Sequence, residues 1–161
     1  MRPEADVVEV VVESLLRNVE VAGEIARRVS TTAGFDEDDQ HKIEMAVHES
    51  MINAVVHGNK SDASKHVWLR FQIFGDRLEI RIRDEGSGFD LRAVPDPLAE
   101  GNLLKVSGRG IFLIRAFMDE FRVENHAGAG TEVTMVKRLN SRIQPTQGGK
   151  DREHEGHNTS S

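Results

Sequence analysis

A change of hydrophobic period near residue 60 constrains the fold of this chain more than any other feature. From Ile43 to Val55 the apolar residues recur at the three- and four-residue spacing of an amphipathic helix. From Val67 to Ile82 they alternate with polar residues, and a single Gly75-Asp76 break in the alternation predicts a β-hairpin. Because a helix face and a sheet face each need an apolar partner, the two patterns predict a helix layer packed on a sheet.

The flanking segments extend this pattern. A β-branched run at residues 7–16 predicts a first strand, and residues 18–32 predict a helix with Asn18 as its N-cap and Gly34 just beyond its end. The second helix is expected over residues 36–58, with an aspartate as its N-cap. The later expected elements are a helix at 110–119 and strands at 121–125 and 131–139. This order predicts an α+β fold, a two-layer sandwich with helices on one face of a mixed, mostly antiparallel sheet.

Composition limits the classes of function. A chain of 161 residues fits one domain, which we expect over residues 7–139, followed by a polar, disordered tail at 140–161. A net charge of −6 argues against direct binding to nucleic acid, and the absence of cysteine removes thiolate chemistry. No apolar run approaches the roughly 20 residues that span a bilayer, and the acidic N-terminus is unlike a secretory signal. A cytoplasmic protein that does not contact membranes is the expectation.

Two polar residues interrupt the apolar pattern of the second helix. Glu49 and Asn53 are four residues apart, so in a helix they share one face and point at a common space. A carboxylate there suits a general base, and an amide oxygen suits a hard cation such as Mg²⁺. The alternatives are a solvated helix glutamate and a buried asparagine satisfied by backbone groups.

Two glycine clusters follow. Asp84 ends the second hairpin strand and precedes Gly86 and Gly88, which would let a planar ligand approach the backbone closely. The alternative is an aspartate that opens an ordinary turn. Gly108 and Gly110 precede the next predicted helix, whose free N–H groups and dipole could hold phosphates, unless they form only a flexible helix start.

A long stretch without periodicity connects these two clusters. Residues 89–107 contain two prolines and a glycine and exceed the usual length of a connection, which indicates a functional lid. Lys105 lies in it and Arg109 lies between the two following glycines, so both could contact phosphates. No P-loop sequence of the Gly-x-x-x-x-Gly-Lys-Ser/Thr type occurs in the chain.

The ordered set of motifs resembles a known superfamily. Glu49-x-x-x-Asn53 with His57-Gly58-Asn59 is followed by Asp84-x-Gly86-x-Gly88, by Gly108-x-Gly110 and by Gly130-Thr131. This order looks like that of the GHKL ATPases, which include gyrase-type topoisomerases and the ATP-binding domains of histidine kinases. The run at residues 107–119 most resembles the stand-alone bacterial anti-sigma factor serine kinases.

The resemblance implies a role for each motif. It implies ATP and Mg²⁺ as cofactors, Glu49 as the general base and Asn53 as the metal ligand. Asp84 then contacts the adenine amino group, and Thr131 closes the adenine side. The glycines at 86 and 88 shape the base pocket, and those at 108 and 110 flank the phosphates beneath the lid.

It also implies a function and partners. In such kinases ATP phosphorylates a serine on a small, STAS-type antagonist protein, and the unphosphorylated antagonist competes with a sigma factor for the kinase. A homodimer is expected. Two competing hypotheses remain: a nucleotide-gated binding protein that transfers no phosphate, and a simple ATPase in which Glu49 activates water.

Overall fold

The computed structural model describes residues 5–86, 106–126 and 129–140. Most of the predicted lid at 89–107 lies outside the described residues, as do Gly88, Lys105 and the predicted tail beyond Asn140. The last two residues predicted for the lid, 106 and 107, are helical instead. The elements in chain order are β1 (Asp6–Glu13), α1 (Leu16–Thr32), α2 (Glu37–Ile52), a π-helical turn (Asn53–Gly58), β2 (His66–Ile73), β3 (Arg77–Arg83), α3 (Val106–Phe117), β4 (Glu120–His126) and β5 (Gly130–Arg138). The predicted order of helices and strands is confirmed.

The strands form a five-stranded sheet in the order β1-β2-β3-β5-β4. Each of its four pairings is antiparallel, which agrees with the expected predominance of antiparallel pairing. The parallel pair that a mixed sheet would contain does not occur in the described part of the chain. The hairpin of β2 and β3 turns at Gly75-Asp76, as the sequence predicted. No helix in the described ranges is long and apolar enough to cross a bilayer.

The core lies between the helices and one face of this sheet. The register aligns apolar side chains in rows across the strands, so that Phe71 pairs with Ile80 and Ile80 pairs with Met135. These three side chains are completely buried. The apolar positions predicted for the second helix are buried as well: Ile43, Ala46, Val47, Met51, Ala54 and Val55. The α+β sandwich is therefore confirmed.

The start of α1 differs from the prediction. Asn18 is not its N-cap, because the helix begins at Leu16 and Leu15 holds the cap position without a side-chain hydrogen bond. The Asn18 amide instead donates to the carbonyl oxygen of Glu13 at 2.8 Å. By contrast, Asp36 caps α2 as predicted, since its carboxylate accepts the Asp39 N–H at 2.8 Å.

The end of the second helix also differs. Regular α-helix stops at Ile52, and residues 53–58 form a wider π-helical turn rather than a continuation of the same helix. The Asn59 N–H therefore reaches back five residues to the carbonyl of Ala54. The Asn53 N–H still bonds to the carbonyl of Glu49, so the predicted helical relation between those two residues is kept. Such π-helical turns occur frequently at functional sites.

Candidate active site

The Glu49 and Asn53 side chains lie under the beginning of α3. Both residues are half-buried, and the Glu49 side chain is 17% exposed. A Cβ atom built on Gly110 would lie 3.0 Å from Glu49 Oε2 and 3.6 Å from Asn53 Nδ2. The absence of a side chain at Gly110 thus lets α3 approach the two polar groups closely. The structure thus places Gly110 beside the Glu49–Asn53 pair, which the sequence had singled out separately from it.

The Asn53 amide has no partner among the described residues. Neither its oxygen nor its nitrogen takes part in a hydrogen bond within this part of the chain, so backbone groups do not satisfy it. A half-buried amide without a protein partner keeps its oxygen available for a ligand. The Glu49 carboxylate is similarly placed, because within the described ranges the one basic side-chain nitrogen within 4.0 Å of it is His48 Nδ1, which is 4.0 Å from Glu49 Oε1. An amide oxygen is a hard donor that fits Mg²⁺, and a carboxylate beside it suits a general base.

Asp84 lies in a second group, enclosed by three glycines. The residue is 5% exposed. A Cβ atom on Gly58 would overlap its carboxylate, and one on Gly130 would overlap its carbonyl oxygen. A Cβ atom on Gly86 would overlap the carbonyl of Gly58. Backbone from three separate segments therefore closes around this carboxylate, so it is not the opening residue of an ordinary solvated turn.

The two oxygens of the Asp84 carboxylate differ in their contacts. Oδ1 accepts the N–H of Gly86 at 2.8 Å and the N–H of Thr131 at 3.2 Å. The backbone N–H of Asp84 donates to the Thr131 carbonyl at 2.9 Å, which joins the end of β3 to β5. No described residue donates to Oδ2. That oxygen is the one available to a ligand donor such as an exocyclic amine.

The surroundings of Asp84 disfavour its charged form. Burial raises the pKa of this carboxyl above its ordinary value, and the two backbone N–H groups on Oδ1 partly oppose the increase. A ligand N–H that bonds to Oδ2 would further favour the carboxylate. A titratable group with a desolvated charge and one unused acceptor is typical of a binding site.

The position of the second glycine cluster corrects the sequence prediction. The helix was expected to begin at Gly110, but α3 begins at Val106, so Gly108 and Gly110 lie within it. The first four N–H groups of a helix lack intrahelical partners, so the free donors are those of residues 106–109. Gly108 contributes such a donor. Arg109 is exposed, and no described residue bonds to its side chain.

Asn59 is a residue that the sequence motif contained but to which the sequence argument gave no role. It is completely buried, and its Nδ2 donates to Ser14 Oγ at 2.6 Å and to the His66 carbonyl at 3.0 Å. Its Oδ1 accepts the N–H of Glu85 at 2.7 Å. The Asn59 side chain thereby links Glu85, the residue after Asp84, to the end of β1 and the start of β2. The only signal in the sequence was a polar residue directly after a helix-ending glycine.

Comparison with known proteins gives a consistent result. Residues 12–137 match the family described as a histidine kinase-like ATPase domain. The chain is 34% identical over 146 residues to the serine-protein kinase RsbW of Bacillus subtilis, covering 87% of this chain and 90% of that protein. It is 35% identical over 124 residues to RsbW of Bacillus licheniformis, covering 70% and 72%.

Solved structures share the fold. The RsbU and RsbW domains of a Mycobacterium tuberculosis protein align with a TM-score of 0.60 at 19% identity, covering 83% of this chain and 32% of that one. The histidine kinase domain of a blue-light activated kinase from Erythrobacter litoralis aligns with a TM-score of 0.50 at 20% identity, covering 75% and 61%. The chain therefore belongs to the histidine kinase-like ATPase domain family and, within it, to the RsbW-like serine-protein kinases.

Proposed function

We propose that this protein is an ATP-dependent protein serine kinase that also acts as an anti-sigma factor in a partner-switching pathway. The observation that carries the proposal is the pairing, beneath the start of α3, of the Glu49 carboxylate with the Asn53 amide, which has no hydrogen-bond partner among the described residues. This pair occurs in a chain that is 34% identical to a serine-protein kinase over most of its length. A protein that only binds nucleotide does not need a half-buried carboxylate at this place.

The nucleotide base binds beside Asp84. Oδ2 accepts a hydrogen bond from the adenine amino group, since Oδ1 is already engaged by two backbone N–H groups. Gly86 and Gly88 line this pocket, and Thr131 closes its side. The buried Thr131 hydroxyl donates to Asn125 Oδ1 at 3.2 Å, which holds it in place.

The phosphates lie at the start of α3. The free N–H groups of its first turn, including that of Gly108, bind phosphate oxygens together with the Lys105 and Arg109 side chains. Because Gly110 has no side chain, α3 can lie close to the Glu49 carboxylate, the proposed general base. Asn53 is the protein ligand of Mg²⁺, which when bound neutralises phosphate charge.

Glu49 performs the proton transfer. Its carboxylate accepts the proton of a substrate serine hydroxyl while the serine oxygen forms a bond to the γ-phosphorus. The bond between that phosphorus and the β–γ bridging oxygen breaks, and ADP leaves with its electron pair. The half-buried position of Glu49 holds the carboxylate in one place without excluding a protein substrate.

The partners follow from the family. The substrate is a small STAS-type antagonist protein, and its unphosphorylated form competes with a sigma factor for the kinase. The kinase acts in the cytoplasm as a homodimer. A net charge of −6 gives no basis for a direct contact with nucleic acid.

The test is label transfer from γ-labelled ATP with Mg²⁺ in a soluble extract of the source organism. Wild type should label one small protein on serine, and Glu49→Gln should retain ATP binding while transfer falls by about 10² or more. Glu44→Gln is the matched control, because Glu44 lies on the same helix and pairs with Arg27 outside the site. Free phosphate without labelled protein would identify an ATPase. ATP binding without turnover would identify a nucleotide-gated binding protein.

A further inference from the structure

His48 lies between a half-buried and an exposed carboxylate. Its Nε2 is 2.9 Å from Oε1 of Glu20 on α1, and the Glu20 side chain is 76% exposed. Its Nδ1 is 4.0 Å from Oε1 of Glu49, whose side chain is 17% exposed. The imidazole therefore lies between the candidate general base and a solvent-exposed carboxylate, at the contact between α1 and α2.

The Nδ1 atom of His48 is the one buried side-chain polar atom without a hydrogen-bond partner among the residues that the structure describes. Buried polar atoms normally have a partner, so this exception needs an explanation. The Glu20 carboxylate can only accept, so the proton of a neutral imidazole lies on Nε2. Nδ1 is then an acceptor that faces another acceptor, the Glu49 carboxylate.

This arrangement changes when Glu49 gains a proton. A protonated Glu49 has an O–H group, which can donate to Nδ1 after the two atoms approach by about 1 Å from their present separation. The unsatisfied nitrogen thus finds its partner only after the proton-transfer step.

We propose that His48 is a positioning residue that relays the proton from Glu49 to Glu20 and the solvent. This inference rests on the proposed role of Glu49 as the base. The proton that Glu49 takes from the substrate hydroxyl passes to Nδ1, and the proton on Nε2 passes to Glu20, which exchanges it with water. Glu49 is thereby ready for the next cycle. The imidazole returns to its first tautomer when Nε2 regains a proton from solvent through Glu20 and Nδ1 releases its proton to water that enters the site as the product leaves.

The principal test measures turnover in variants of His48. In His48→Ala, kcat for protein labelling should fall about tenfold, less than in Glu49→Gln, while KM for ATP is unchanged. Added imidazole should restore much of the rate. His48→Gln retains a donor for Glu20 but cannot relay a proton, so it should be as slow as His48→Ala.

A matched control separates the relay from simple helix packing. Arg27→Ala removes the neighbouring ion pair between α1 and α2, which joins Arg27 to Glu44 at 2.9 Å without approaching Glu49. It should leave kcat near the wild-type value. An unchanged kcat in His48→Ala, full activity in His48→Gln or a loss that imidazole does not restore would each overturn the relay.

A measurement on the resting protein distinguishes failure of the relay from failure of the proposed function. Glu49→Gln places an amide donor where the protonated carboxyl would lie, so the ¹⁵N resonance of His48 Nδ1 should move toward that of a hydrogen-bonded acceptor. Glu49→Met should not produce this change. If wild type transfers no phosphate, the kinase proposal fails. The ¹⁵N measurement still shows whether His48 Nδ1 contacts the side chain at position 49. A protonated Nδ1 in wild type, or no response to Glu49→Gln, would refute the inference.

Discussion

Gly130→Ala offers the most direct test of the glycine enclosure around Asp84. Gly130 has a φ of +96°, a conformation that favours glycine, and a Cβ atom there would overlap the carbonyl oxygen of Asp84. The substitution therefore adds backbone strain and a steric overlap. Gly34 provides a matched control, because its φ is +94° and the nearest atom to its Cβ would be a Leu139 methyl carbon at 4.0 Å.

The two substitutions should differ by the cost of the overlap alone. Strain from an alanine at positive φ costs roughly 1–2 kcal/mol. The reduced freedom of the unfolded chain returns about 0.4–1 kcal/mol of it. Gly34→Ala should thus lose only about 1 kcal/mol of unfolding free energy. Gly130→Ala must also displace well-packed backbone at a cost of roughly 1–3 kcal/mol, which brings its loss to about 2–4 kcal/mol.

Urea denaturation of both variants measures this difference, and calorimetry with ATP measures its effect on the site. Gly130→Ala should also weaken ATP binding, because Asp84 must move, whereas Gly34→Ala should leave it unchanged. Equal losses of stability in the two variants would show that strain alone matters and that backbone does not close around Asp84. Unchanged ATP affinity in Gly130→Ala would place the base pocket elsewhere.

Three further predictions concern stability. Because the pKa of Asp84 is raised in the folded state, the folded protein holds this proton more tightly than the unfolded chain. Wild type should then lose stability relative to Asp84→Asn as the pH rises from about 3.8 through the raised pKa, measured as urea midpoints across pH. Lys137→Met removes a 2.7 Å hydrogen bond to a carbonyl at the end of α3 and should lower the free energy of unfolding by about 1–3 kcal/mol. The control Arg138→Met, at an exposed site, should change it by no more than about 0.5 kcal/mol in the same urea assay. Asn59→Ala loses three hydrogen bonds and should cost about 3 kcal/mol in thermal unfolding. The control Asn18→Ala loses one solvent-exposed hydrogen bond and should cost less than about 1 kcal/mol.

Hydrophobic period predicted the elements that bury one face. The alternation in β2 and β3 and the spacing in α2 each identified buried residues, because an apolar side chain that faces the core repeats with the geometry of its own element. Local capping was less reliable. The prediction of Asp36 as an N-cap was correct, but that of Asn18 was wrong, because an asparagine in the first turn of a helix can bond to the preceding strand instead.

Contacts between distant segments account for what the sequence did not predict. The start of α3 depends on residues before Gly108, where the sequence carries two glycines that resemble a helix boundary. The π-helical turn and the role of Asn59 depend on hydrogen bonds to β1, β2 and the segment after β3. No local pattern encodes these partners. The proximity of Glu49, Asn53 and Gly110 is now a structural finding, whereas their roles stay predictions.

The π-helical turn connects the two groups of the candidate site, one at Glu49 and Asn53 and the other at Asp84. The bond from the Asn53 N–H to the Glu49 carbonyl keeps those two side chains on one helical face beneath α3. The wider turn that follows brings Gly58 against the Asp84 carboxylate, and Asn59 then bonds to the residue after Asp84. In the proposed function, a shift of this turn would move the adenine pocket at Asp84 relative to Glu49 and Asn53. Residues 49–59 would then set the separation of the proposed adenine and phosphate sites, and Asn59 would contribute by fixing the end of that segment.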